Sequence, residues 1–200
     1  MPLAPWLLVL VGPPASGKST LARALAARCA AVVVQSDAVR KALVAQPTYS
    51  RDEHRRVFGV VHRRTYQALA AGRNVVVDAT NLEERHRRVL YRIAAACGAR
   101  LRIVRLVVPM AIARARLHRR ATARDPRDLS DADWRVYQAL APRHEPIGPP
   151  HWLLNGALRA ALLVAFVCER VLAEPPPEHF AVEGLADVQA CPGTGADAHR

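Results

Sequence analysis

The sequence is nearly without lysine. Of its 29 basic residues only Lys18 and Lys41 are not arginine, and the formal charge is +12. A chain so rich in arginine and alanine carries the mark of GC-rich coding, so its basicity does not by itself establish a polyanion partner. Cysteine is scarce as well. Cys29, Cys97, Cys168 and Cys191 are scattered with no C-x-x-C pair, which argues against a metal site or a disulfide framework and for reduced thiols in a cytoplasmic protein. Long apolar runs are missing. Trp6 to Val11 is too short for a signal-peptide core and no basic residue precedes it. The stretch from Ala160 to Cys168, bracketed by Arg159 and Glu169, reads as a buried helix rather than a membrane span. An Asn-Lys-x-Asp guanine signature is also absent, since Asn81 is followed by Leu82, which disfavours a GTPase.

What is present is a chain of 200 residues, 51% hydrophobic, enough for one domain with a buried core. Leu7–Val11 is a continuous apolar run of the kind a strand buried on both faces needs, and Ser19 to Cys29 follows with helical spacing. Ala31–Gln35 gives a second strand and "SDAVRKAL" opens a helix. Ser50 and Glu53 have the spacing of a capping box, for a helix turning Val57, Val61, Tyr66 and Leu69 inward. Val75–Val77 is a third strand, then a helix begins near Asn81 and Glu84 and runs to Cys97, with Gly98 as its stop. Leu101–Val108 is a fourth strand, followed by a basic helix from Met110 to Ala121 and a polar segment in which Ser130 caps a helix to Leu140. Beyond a proline-rich connector, Trp152–Leu154 is a short fifth strand and Ala157–Ala173 a last helix.

Strands alternating with helices specify an α/β fold, a parallel, five-stranded sheet flanked by helices in three layers. Residues 1–173 form the domain, with a helical lid at about 110–130, and residues 174–200 are a loose acidic tail rich in Pro, Gly and Ala. Ligands of such sheets sit at the carboxyl ends of the strands, which directs attention to those positions.

Gly12-Pro13-Pro14-Ala15-Ser16-Gly17-Lys18-Ser19 matches G-x-x-x-x-G-K-[ST], with Thr20 next and with a buried strand before it and a helix after. Glycines let backbone N–H groups turn toward phosphate oxygens, lysine reaches the β- and γ-phosphates, and the Ser19 hydroxyl suits magnesium. One of only two lysines stands here, where a compact ammonium is not replaceable by a planar guanidinium. Asp37 follows the second strand, placed either to cap a helix or to accept the proton of an acceptor hydroxyl, and Arg40 lies one turn on, able to hold an acceptor's phosphate or carboxylate. Asp78 ends "VVVD" in the form of a Walker B carboxylate that orders magnesium. Thr80 and Asn81 shape the turn beyond it. Arg116 and Arg120, four apart on the basic helix, share a face and suit a lid over the γ-phosphate.

These residues, with "SDAVR", "GRNVVVDATNLEER" and "LSDADWRVY", resemble the small P-loop kinases of the polynucleotide 5′-kinase-like and zeta-toxin-like group, often labelled AAA-family ATPases, over Leu7 to Leu140. The resemblance implies a kinase-type P-loop NTPase fold, Mg-ATP held by Gly12 to Thr20, Asp37 as base, Arg40 on the acceptor, and Arg116 and Arg120 as lid arginines. The chain departs from the polynucleotide kinases in reading Asp78-Ala79-Thr80-Asn81 where they show Asp-Thr-Asn or Asp-Asn-Thr-Asn, and it brings no phosphatase domain. The expected function is transfer of the γ-phosphoryl group of ATP to a hydroxyl, a polynucleotide or nucleotide 5′-hydroxyl first. A sugar, gluconate or antibiotic acceptor is the alternative, and an ATPase switch acting on a protein partner the reading from another class.

Overall fold

The computed structural model describes residues 4–123 and 129–173. The proposed tail and the middle of the polar segment after the basic helix lie outside the described residues. Five strands, β1 (Trp6–Val11), β2 (Val32–Gln35), β3 (Val75–Asp78), β4 (Arg100–Val107) and β5 (Trp152–Asn155), form one sheet in the order β2-β3-β1-β4-β5, every neighbouring pair parallel. Connecting them are α1 (Lys18–Cys29), α2 (Ser36–Leu43), α3 (Arg51–Ala70), α4 (Glu84–Ala96), α5 (Met110–Ala123) and α6 (Trp134–Leu140). After β5 comes α7 (Ala160–Phe166), continued by a π-helical turn over Val167–Val171.

All six residues of β1 are buried because it is the middle strand and has a packed layer on each side. Trp6, Leu8 and Leu10 join Leu21 and Leu25 of α1 and Leu163 and Val164 of α7 in one core, while Leu7, Val9 and Val11 join Val57, Phe58 and Val61 of α3 and Leu90 of α4 in the other. The alternation of a strand and the absence of polar positions in "WLLVLV" thus have one cause, two apolar layers. The chain leaves β1 toward β2 and leaves β3 toward β4, so the connections of these adjacent strands diverge. That divergence opens a crevice at their carboxyl ends.

Several expected elements shift, for local reasons. Tyr66 does not point inward: it is half exposed, and the buried face of α3 advances by fours through Val57, Val61, Thr65 and Leu69. Only half of the capping box forms. Ser50 Oγ accepts the Glu53 N–H at 3.3 Å, but the Glu53 carboxylate turns away to other partners. Asn81 takes a left-handed φ of 47° and its side chain donates to the Leu10 carbonyl at 2.8 Å, which delays the start of α4 to Glu84. Asp133, not Ser130, caps α6, accepting the Val136 N–H at 2.8 Å. Asn155 folds an Asx turn onto the Ala157 N–H at 2.9 Å, so the last helix begins at Ala160 rather than Ala157. Cys29 and Cys168, far apart in sequence, bring their sulfurs to 3.3 Å.

The turn beyond β3 is held by a residue that spacing alone does not single out. Arg87 is fully buried, and its guanidinium donates to the carbonyls of Asn81 (2.8 Å), Leu82 (2.6 Å), Glu145 (3.0 Å) and Pro146 (2.6 Å) and to the Glu84 carboxylate (2.8 Å). One planar cation therefore clamps the turn, the start of α4 and the proline-rich connector together. Replacing it leaves those carbonyls buried without donors. Arg87→Met is expected to cost about 3–5 kcal/mol in urea unfolding, and a loss below 1 kcal/mol would remove the clamp from the fold's support.

Candidate active site

The loop between β1 and α1 is fixed on every side by backbone contacts. Gly12 sits at φ 154°, where a side chain would press to 2.5 Å from the Leu106 carbonyl oxygen and 2.8 Å from Ser16 Oγ. Its N–H donates to the Thr80 carbonyl at 3.0 Å, tying the loop to the turn after β3. Gly156, just past β5, lies so close beneath the loop that a Cβ there would collide with the Ser16 carbonyl. Arg116 of α5 bridges the two layers, donating to the Ala15 carbonyl at 3.1 Å and the Gly156 carbonyl at 2.8 Å. No side chain caps the N-terminus of α1 and no acidic residue occupies its first turn. Its leading amides and positive end are thus directed to the crevice, as anion binding needs.

Lys18 is buried, its ammonium donating to the Pro13 carbonyl at 2.7 Å and Ser16 Oγ at 3.2 Å. Burial pulls its pKa down to about 8 against the pull of Asp78 and Asp37, and Arg120 of α5 lowers it further. Asp78, also buried, stands beside Leu10 of β1 and Gln35 of β2 in the sheet register. Burial raises its pKa, while Lys18 and a hydrogen bond from Ser19 oppose that rise. Asp37, the second residue of α2, is likewise raised by burial and by Asp131, and is held down by a hydrogen bond with Ser130 and by the charges of Lys18 and Arg40. Ser130, displaced from helix capping, serves this carboxylate instead.

Arg40 is no solvated surface cation. It is buried, ion-paired with Glu53 and stacked over the Tyr49 ring at 4.6 Å. Burial pushes the Glu53 carboxyl up, but the Thr48 N–H (2.7 Å) and hydroxyl (2.9 Å), with Arg40, outweigh it and hold the group down to about 2. The Tyr49 N–H adds a contact at 3.1 Å and its hydroxyl donates to Asp131 at 2.9 Å. A chain of charges thus runs from the loop to the start of α3.

Lys18, Ser19, Thr20, Asp37, Arg40, Asp78, Arg116 and Arg120 all line one cleft of about 1500 Å³, together with Pro14, Ala15 and Gly17. Gly12, Pro13 and Ser16 support the loop from behind and are not among its lining residues. Sequence reasoning missed Glu53, because its spacing to Ser50 was fully explained as a cap. It missed Gly156, a lone glycine after a short strand, and the rings of His54, Phe58 and His86, whose contact across α3 and α4 no spacing reveals. Among the described residues no helix is long and apolar enough to cross a membrane.

A model of the AAA domain family matches residues 7–146. The fold is shared at low identity with solved structures, two kinases among them. The APS kinase of Mycobacterium tuberculosis in complex with AMPPNP and APS superposes with a TM-score of 0.65 at 19% identity, over 86% of this chain and 100% of that one. A gluconokinase from Sinorhizobium meliloti gives 0.58 at 23% identity, over 81% and 89%. Kti12 from Chaetomium thermophilum, in complex with ADP-AlF3, gives 0.62 at 21% identity, over 82% and 98%. Among curated proteins none matches by sequence. The fold is therefore the P-loop kinase fold, as the alternation of strands and helices required.

Two measurements test this geometry. Gly156→Ala must push the Ser16 carbonyl, and is expected to cost about 1–3 kcal/mol in stability while weakening ATP binding; unchanged affinity would separate β5 from the loop. A bound polyphosphate favours the charged form of Lys18 and raises its pKa from about 8. Binding therefore takes up a proton just above that pH, and affinity falls as pH rises. Calorimetry of ATP binding at pH 8.5 in buffers of different ionisation enthalpy reads this uptake, and the same uptake in Lys18→Met would assign it elsewhere.

Proposed function

Because the chain belongs to the AAA domain family and has the P-loop kinase fold, we propose that it is an ATP-dependent phosphotransferase whose acceptor is a hydroxyl. The observation that carries this reading is the meeting of Lys18, Asp78 and Asp37 at the ends of three neighbouring strands or their connections, in one cleft with Arg116 and Arg120.

The loop from Gly12 to Thr20 holds the phosphates of ATP, its uncapped α1 amides and Lys18 answering their charge. Ser19 and Asp78, already hydrogen-bonded to each other, are oxygen groups of the kind magnesium takes, and the ion, when bound, neutralises charge on the phosphates. Asp37 accepts the acceptor's hydroxyl proton as the new O–P bond forms at the γ-phosphorus, while the bond to the bridging oxygen breaks and ADP leaves. Burial suits Asp37 to this step by lifting its basicity. Arg40, immobilised by Glu53 and Tyr49, orients the acceptor's side of Asp37. Arg120 balances the charge that moves, and Arg116 docks α5 on the loop as the base of a lid.

A polynucleotide or nucleotide 5′-hydroxyl ranks first as acceptor, in keeping with the net charge of +12 and the arginines lining the cleft, and a small metabolite second. The work of such an enzyme is cytoplasmic. Asp37→Asn keeps the shape of the side chain and removes its basicity. Transfer from labelled ATP, across a panel of 5′-hydroxyl oligonucleotides, nucleosides, sugars and gluconate, is expected to fall about 10²- to 10⁴-fold, with ATP affinity within a few fold. Retained transfer would sink the base assignment, and ADP formed by the wild type without any labelled product would favour a hydrolytic switch.

A further inference from the structure

Two of the chain's four cysteines meet across the fold. Cys29 is the last residue of α1, and Cys168 is the second residue of the π-helical turn that follows α7. They lie 139 positions apart in sequence, yet their sulfurs stand at 3.3 Å. Apolar groups that only pack keep about 3.5–4.0 Å between them. Both side chains lie against one core layer, that of Leu21 and Leu25 of α1 with Leu163, Val164 and Val167. Cys97, just past the end of α4, packs against the other layer across the sheet and is kept from both. Cys29 and Cys168 are each half-buried, so a small thiol reagent has access to the pair.

The backbone builds this approach. After α7 the helix widens over Val167–Val171, the Leu172 N–H donating to the Val167 carbonyl at 2.9 Å. Such π-helical turns are rare and are found frequently at functional positions. Through it Val167, Val171 and Leu172 are all buried, and Arg102 of β4 fastens the turn by donating to the Val171 carbonyl at 2.8 Å. Burial and the neighbouring Cys168 sulfur push the Cys29 thiol up to about 11. A thiol held protonated is suited neither to nucleophilic catalysis nor to metal binding, which need a standing thiolate. A bond between the two sulfurs needs only a transient one.

We propose that Cys29 and Cys168 are a modification site, a reversible disulfide that clasps the last helix onto the helix of the phosphate loop. The oxidant is a small-molecule disulfide of the glutathione kind. A thiolate of the pair attacks one of its sulfurs, forming a mixed disulfide and releasing one thiol. The second cysteine then gives up its proton and displaces the other. Two cysteine S–H bonds are exchanged for one S–S bond, and the oxidant is reduced to two thiols. The bond closes most of the domain into one loop, which restricts the unfolded chain far more than the folded one. In the fold it secures α7, whose Leu163 lines the cleft as do Thr20 and Leu21 of α1. The clasp stands apart from the phosphotransferase reading, and neither depends on the other.

The test equilibrates the full chain in glutathione buffers running from reducing to oxidising, followed by acid quenching, alkylation and peptide mapping without reductant. A Cys29–Cys168 cross-linked peptide is expected as the predominant disulfide, returning to free thiols in excess reduced glutathione. The oxidised chain is expected to unfold about 5–15 °C above the reduced one. Amide exchange in α7 and the turn after it is expected to slow about tenfold or more. Cys29→Ser and Cys168→Ser each abolish both shifts, and Cys191→Ser keeps them. Each variant is compared with itself in the two buffers, so a lower starting stability does not hide the result. Glutathione adducts alone, or a predominant cross-link to Cys97 or Cys191, overturn the pairing. A Cys29–Cys168 bond that leaves the midpoint unchanged or lowers it overturns the clasp, and so does unchanged exchange in α7.

Discussion

Everything in this site is arranged around one buried ammonium. Lys18 is removed from water together with Asp78, and the half-buried Asp37 joins Asp78 in keeping it charged. Isolated, each would shed its charge, because a desolvated ion costs several kcal/mol before its partners are counted. Held together they are mutually tolerable, with Lys18 lowered only to about 8 and both acids raised by burial. Such a cluster is poised to rearrange when a polyanion arrives, since the ammonium's present acceptors, the Pro13 carbonyl and Ser16 hydroxyl, are neutral. A phosphate oxygen is a better partner than either.

That arrangement needs a backbone that does not yield, and the fold supplies it by close approach rather than by bulk. Gly12 and Gly156 let β1, β4 and β5 support the loop directly, and Asn81 and Thr80 stitch the turn after β3 to the same place. Arg87 and Arg116 then do for loops what apolar side chains do for the sheet. Each spends its donors on backbone carbonyls of segments distant in sequence. An arginine-rich composition is thus used inside the molecule as well as on its surface. Guanidinium groups suit the fixed multi-point clamps, and the compact ammonium is kept for the loop.

The fold was legible because its signals are strong and local. Two-sided burial forces apolar strands at β1 and β3, and the loop motif requires its own glycines and lysine. Asp37 and Asp78 followed from the strand-end rule, and both line the cleft. What escaped was set by contacts between segments far apart in sequence. Glu53 looked like the reciprocal member of a cap, yet its carboxylate binds Arg40 and Thr48 because a buried guanidinium outcompetes an exposed backbone N–H. Ser130 looked like a cap and serves Asp37. Tyr66 was drawn inward by counting along the helix, when a step of four through Thr65 defines the true face. Polar residues with short side chains satisfy local and distant partners equally well on paper. Only the three-dimensional approach of the competing donor decides between them.

The same reasoning explains why the acceptor side of the cleft differs in character from the nucleotide side. Phosphate chemistry is common to every enzyme of this fold, and its demands fall on backbone and on a few charged groups, so it leaves a motif. The far side of the cleft is lined by side chains of α3 and α4, which no loop geometry constrains, with Phe58 packed in the core and stacked on His86. There the chain has placed neutral rings where its composition would most easily have written another arginine. In a protein with 27 of them by count of its sequence, an uncharged aromatic wall a few residues from Arg51 is a departure from compositional drift. The loop sees only phosphate, so any discrimination between one hydroxyl-bearing molecule and another falls to side chains outside it.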